Sequence, residues 1–331
     1  MNRIATVMSA AALAGAALLA TTITQSAFAQ GYPNRVITMI VPYAPGGPGD
    51  TVARWIVNKM SAMLGQQIVI ENVAGAGGMT GAARVARAEP DGYTLLVHQT
   101  GLAIGPGLYP KLPFDVQADL TAVGLVNTSY SFLAVSKSVP ANNLQEMLAW
   151  MKGPGKPVKF AHPGAGTLAH LQAVLFTKIF DIEATLVPYR GGALAMNDVI
   201  AGHVHMVWAA PTTAAELIKA DKIKSVGYGA PKPYPSVPNV PSFGDMGHPD
   251  LAIPFWHALF VPAATPRPVI DRLNAALRET VSDPQVLRAY GERGLEAFPP
   301  DQMSPEAANA YMRQEIARWT KVIRDNNIQA Q

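Results

Sequence analysis

The chain has 331 residues, of which 49% are hydrophobic and 15% charged, with a formal net charge of +3 at neutral pH. That balance fits a globular protein with room for two domains and excludes a disordered chain, while the lack of any Lys/Arg run excludes a nucleic-acid binder. There is no cysteine, so disulfides, thiol nucleophiles and Cys-based zinc sites are excluded too.

Residues 1–29 read as a secretory signal peptide. Arg3 gives a short positive region, residues 4–20 are apolar, and Ala27-Phe28-Ala29 is a small-x-small cleavage signal. The mature chain is expected to start at Gln30, in the periplasm. No other stretch is long and apolar enough to span a bilayer.

From there the pattern is strand, loop, helix, repeated. A strand at 35–41 is nearly all apolar, as in a parallel sheet covered on both faces. A helix at 50–65 follows, with Asp50 or Thr51 as its cap and Gly65 as its stop. Next come a strand at 66–73, a short helix ended by Pro90 and a strand at 92–99. A long β-rich run covers about 120–136, after which the β/α pattern restarts and continues to residue 230. The Pro-rich segment 230–243 excludes regular structure. A strand at 255–262 precedes helices at 267–281, 284–290 and about 305–326, which have no strands among them and are expected to return to the first unit. The expected fold is α/β: two lobes with parallel or mixed sheets and a ligand cleft between them. Residues 30–130 and 229–331 form one lobe, and 131–228 form an inserted second lobe.

Two loops carry the functional signal. "VPYAPGGPGD" (41–50) follows the first strand, and "HPGAGTLAH" (162–170) follows the corresponding strand of the second unit. Both are glycine- and proline-rich, both open a helix, and neither contains a Lys or Arg. A helix N-terminus offers unpaired N–H groups and partial positive charge, and glycines let a ligand reach that backbone. One such loop is no more than a tight turn; two matched loops at the carboxyl ends of strands point to an anion held by backbone donors.

Competing chemistries find less support. Gly75-x-Gly77 after a strand approaches a dinucleotide motif, but its third glycine falls at Thr80 and no acidic residue ends the next strand. No G-x-S-x-G elbow is present. His203-x-His205 has neither an H-E-x-x-H partner nor a carboxylate cluster. No catalytic residue, metal or cofactor is expected.

Several long stretches, in order, resemble the Bug family of periplasmic solute receptors: "YPNRVITMIVPYAPGGPGD", "VIENVAGAGGMTGAARVARAEPDGYTLL", "GLYPKLPFD", "VPYRGGALAMNDVIAGHV" and "PAATPRPVIDRLNAAL". The resemblance implies a two-lobed, type II-like periplasmic binding protein that closes on an organic acid. It implies delivery to the two integral subunits of a tripartite tricarboxylate transporter, with the receptor a monomer. A sensing role for a two-component system is the alternative, and a secreted hydrolase a more distant one. The family's carboxylate grip falls here on Tyr43, Ala44, Pro45, Gly46, Gly47 and Asp50 in the first loop and on Gly164, Ala165, Gly166, Thr167 and His170 in the second. Asp198 matches a further family position, either at the ligand or as a cap. Family positions "GxVD" and "WxG" read here as "GHVH" and Trp256-His257-Ala258. The wall facing the rest of the ligand is then expected to include His98, Gln99, Tyr130, Trp208 and His257, with Arg190 adding a charge. Such a wall suits an aromatic or dicarboxylic acid better than a cationic amino acid.

Overall fold

The computed structural model describes residues 31–154 and 156–329. The expected signal peptide lies outside the described residues. The chain builds two sheets, each flanked by helices.

The first unit opens with β1 (Ile37–Val41), α1 (Pro48–Leu64), β2 (Ile68–Asn72), α2 (Met79–Ala86), β3 (Thr94–Gln99) and α3 (Gly101–Leu108). The short helix α4 (Val116–Asp119) leads into β4 (Leu120–Ser129). After an excursion the chain returns with β10 (Phe255–Pro262), α9 (Arg267–Val281), α10 (Pro284–Glu292), β11 (Leu295–Glu296) and α11 (Pro305–Asp325). The strand order is β11-β4-β10-β3-β1-β2. β1 runs parallel to β2 and β3, and β10 runs antiparallel to β3 and β4, so the sheet is mixed. Both faces are covered: Ile37, Met39 and Val41 face the α1 and α9 side, and Ile40 faces the α2 and α11 side. That explains why β1 is apolar nearly throughout.

The excursion holds β5 (Phe132–Val135), α5 (Leu144–Lys152), β6 (Val158–His162), α6 (Leu168–Ile179) and β7 (Ala184–Pro188). It continues with α7 (Gly192–Ala201), β8 (Met206–Ala209), α8 (Pro211–Lys219) and β9 (Lys224–Tyr228). The second sheet has the order β7-β6-β8-β5-β9. The 120–136 run is therefore two strands in two sheets, and the chain crosses between them at Tyr130–Ser131. The Pro-rich return segment packs on the second sheet. Phe243 and Leu251 are fully buried beside Leu133 and Val226, and Tyr228 exchanges backbone hydrogen bonds with Pro241 and Phe243. Assigned by the sequence to the first lobe, residues 229–251 thus share their apolar contacts with the second.

Two local departures from the sequence reading bear on the site. Helix α1 begins at Pro48, with Gly47 as its N-cap, rather than at Asp50 or Thr51. Proline suits the first helical position because its fixed φ is helical and its missing N–H would go unpaired. The stretch Gly101–Leu108 is a helix despite three glycines and Pro106. A Cβ at Gly107 would lie 3.0 Å from both the Thr320 Cα and the Ile323 side chain, so the glycine lets α11 pack closely.

Candidate functional site

Between the sheets lies a narrow cleft lined by residues of both lobes. The first lobe contributes Tyr43, the Gly47–Gly49 helix mouth, Gln99 and Phe255; the second contributes Pro163, Thr167–Ala169, Gly192, Val207–Ala210 and Thr213, with Ser131 at the crossing. Among the described residues, no Lys, Arg, His, Asp or Glu lines it. Four helices of eight residues or more present their N-termini to it: α1, α6, α7 and α8.

The donors of the two loops can be followed one by one. In the first loop, Gly46 N–H donates to Asp50 Oδ2 at 3.0 Å and Thr51 N–H to the Gly47 carbonyl at 2.9 Å. The Gly49 and Asp50 N–H groups fall in the first turn of α1, where no intrahelical acceptor exists. In the second loop, Thr167 caps α6: its Oγ accepts from His170 N–H at 3.3 Å and donates to the Gly164 carbonyl at 2.8 Å. Gly166 N–H donates to His170 Nδ1 at 3.3 Å. The Leu168 and Ala169 N–H groups are the first-turn donors of α6, and both residues line the cavity. Within the expected 164–170 loop, the Thr167 hydroxyl and the Gly166 N–H are thus engaged with Gly164 and His170.

The Asp50 carboxylate is engaged within its own lobe. The residue is 2% exposed, and its carboxylate also accepts from Arg54 at 2.9 and 3.1 Å and from Asn72 Nδ2 at 3.0 Å. Burial pushes its carboxyl up, but the bonds from Arg54, Gly46 and Asn72 outweigh that and hold it below the usual range. The carboxylate anchors the loop from behind. Pro45 and Gly46 are exposed on its outer side, and Ala44 abuts Gly191 of the other lobe.

The histidines do not reach the cavity. His98 and His257 are each 1% exposed. Gln99 N–H donates to His98 Nδ1 at 2.8 Å, and His257 Nδ1 lies 2.9 Å from Asn127 Oδ1. Burial depresses both, to about 4 for His98 and, with His98 nearby, to about 3 for His257. Both rings are neutral at ordinary pH. His170 lies under the second loop, stacked on His162 with centroids 4.5 Å apart; burial and His162 lower it to about 4.

The remaining expected residues separate. Gln99 and Trp208 line the cavity. Tyr130 is half-buried against Tyr228, outside the lining, where Ser131 takes its place. Arg190 is exposed and does not line the cavity. Asp198 accepts from Tyr189 at 2.6 Å and pairs with His203, both within its own lobe. His205 accepts from Lys159 N–H and stacks on Trp150, so His203 and His205 do not converge. The reading of the sequence missed the mouths of α7 and α8. Their signals were a double glycine after β7 and an Ala-Ala-Pro after β8, weaker than the two long loops.

Two sheets joined by crossing segments around an uncharged, donor-lined cleft define the class of two-lobed solute-binding proteins. Residues 52–328 match the family described as "Tripartite tricarboxylate transporter family receptor", and the chain belongs to that family. The UPF0065 protein in the tcbD-tcbE intergenic region of Pseudomonas sp. strain P51 is 35% identical, over 96% of this chain and 94% of its own. The structure of the periplasmic binding protein BugD is 30% identical with a TM-score of 0.87, covering 91% of this chain and 100% of its own. MatC from Rhodopseudomonas palustris, solved with bound malate, is 33% identical with a TM-score of 0.84, covering 88% of this chain and 100% of its own.

Proposed function

We propose that this protein binds an organic acid in the cavity between its sheets and delivers it, as a monomer, to the two integral subunits of a tripartite transporter. The observation that carries this reading is the cavity's lining: four helix N-termini and no formal charge of either sign. Each helix mouth contributes roughly half a positive charge together with oriented N–H donors. An anion is favoured there, and a cation would meet only unfavourable dipoles. The first-turn amides of α1 and α6, one from each lobe, are placed to hold one carboxylate between them. Tyr43, Val207, Trp208 and Phe255 leave apolar wall for the ligand's body, which suits a dicarboxylic or aromatic acid. The protein acts in the periplasm once residues 1–29 are removed, and mass spectrometry of the exported form would find a chain beginning at Gln30.

The reading is tested by calorimetry and thermal shift of the mature protein against malate, succinate, adipate and phthalate, with lysine and arginine as controls. At least one acid is expected to bind and raise the melting temperature. Binding of a cationic amino acid with none of the acids would overturn it.

A further inference from the structure

The turn at Gly75–Gly78, which only approaches a dinucleotide motif, meets the second lobe at one point. Gly77 has φ +63°, and a Cβ placed on it would lie 2.0 Å from the Ala165 carbonyl oxygen. Nothing larger than a hydrogen fits there. The same carbonyl accepts a hydrogen bond from the Tyr109 hydroxyl at 2.6 Å. Tyr109 follows α3 in the first lobe, and Ala165 sits in the loop that opens α6 in the second. The turn is tied back to the ligand cavity as well, because the Tyr43 hydroxyl donates to the Gly77 carbonyl at 2.9 Å. Gly166 completes the fit: a Cβ there would lie 3.0 Å from the Tyr109 ring.

We propose that Tyr109 and the Gly75–Gly78 turn form a seat for the Ala165 carbonyl that positions the second lobe's anion-binding loop and sets how long the ligand stays. A loop that turns its N–H groups toward an anion must place its carbonyls elsewhere, and a carbonyl half-buried at a lobe contact gains from a donor there. Tyr109 supplies that donor from the opposite lobe. The bond therefore exists only when the lobes are together, so it stabilises the closed state relative to the open one and acts on release rather than encounter. Tyr109 is a positioning residue, since it reaches the ligand only through the loop. This inference rests on the proposed binding of an organic acid at the same cavity.

The chain's lack of cysteine allows a clean test. Glu89→Cys and Lys152→Cys, both exposed positions in different lobes, carry nitroxide labels whose separation reports closure. The doubly labelled protein is titrated with malate and adipate, with and without Tyr109→Phe. The variant is expected to need about threefold to tenfold more ligand for half-closure, the range of one net hydrogen bond. Its dissociation rate should rise by the same factor, while its association rate and ligand-free melting temperature stay at wild-type values. Gly77→Ala is expected to impair closure more strongly. Equal midpoints and dissociation rates for wild type and Tyr109→Phe would overturn the proposal, as would a loss of affinity matched by a fall in ligand-free stability. If neither acid closes the wild type, it is the proposed function that fails for these ligands. The seat is then judged on the unliganded distance distributions: a smaller closed fraction in Tyr109→Phe supports it, and identical fractions overturn it.

Discussion

Removing the Asp50 carboxylate should weaken both the fold and the binding. Asp50→Ala strips the acceptor from Gly46 N–H, Arg54 and Asn72 at once. Gly46 and Arg54 are exposed and can turn to water, so the lost bonds cost about 1 kcal/mol rather than the larger penalty of a buried unpaired donor, and the loop that presents Gly47 and Gly49 loses its anchor. Denaturant unfolding should show that loss, and calorimetry with malate should show at least tenfold weaker binding; unchanged affinity would mean the loop is held by other contacts. The histidines lead to a second expectation. His98, His257 and His170 are held near 3 to 4 when folded, against about 6.5 when unfolded. Between those values the unfolded chain binds more protons, so stability is full above about pH 6.5 and falls as the solution is acidified toward 4. Each of the two most buried rings should cost roughly 1–2 kcal/mol by pH 5, and His98→Gln should flatten the melting-temperature profile. Ligand affinity should stay flat from pH 6 to 7.5, because no titrating group lines the cavity; a decline with rising pH would restore a histidine to the ligand. The residue types at these positions were legible in the sequence, and their directions were not. Arg54 four residues after Asp50 hinted at a pair on one helix face, but Asn72 and Asn127 reach their partners only through strand pairing.

Elements were read best where composition and period agreed. The α6 mouth follows from Thr167, because a threonine cap before an apolar run leaves few alternatives. Helix α3 was passed over, since Gly101, Gly105, Pro106 and Gly107 all argue against a helix. Its reason is tertiary: small residues let α11 and the site-bearing turn approach. The α1 mouth yields a prediction in which stability and function part. Gly49 lies in the first helical turn and lines the cavity, and a Cβ there would make only ordinary contacts, at 3.7 Å from Tyr43 and 4.0 Å from Val41. Gly49→Ala should therefore stabilise the protein by about 0.5–1 kcal/mol through helix propensity and a less flexible unfolded chain. It keeps the N–H but adds a methyl against Tyr43 on the cavity wall. Affinity for malate should fall while unfolding shifts to higher denaturant. A more stable protein with undiminished affinity would move the carboxylate off the α1 mouth.

At the scale of the molecule, two lobes were foreseeable because the β/α pattern restarts after a long β-rich run. The packing of 229–251 was not, because a Pro-rich segment carries no periodicity to say which core it covers. That packing locates the pivot. Gly229 lies between the outgoing crossing at Tyr130–Ser131 and the Leu251 end of the return, and its N–H donates to the Ser131 carbonyl at 2.7 Å. Segment 229–251 shares most of its buried apolar contacts with the second sheet, and the link back to the first sheet is the short stretch before Phe255. Rigid lobes joined at two neighbouring strands rotate about the line through them, absorbing the change in a few backbone angles. A Cβ at Gly229 would stand 3.0 Å from the Leu251 carbonyl oxygen, 3.1 Å from the Ser131 carbonyl oxygen and 3.2 Å from the Trp208 ring. Gly229→Ala would crowd that line and press on the Trp208 ring of the cavity wall, so the two proteins are compared at ligand saturation. Small-angle scattering should show the wild type contracting when saturated with malate, and Gly229→Ala contracting less at the same saturation. An equal contraction would place the pivot elsewhere, and no contraction in either protein would mean that the cleft fills without the lobes moving.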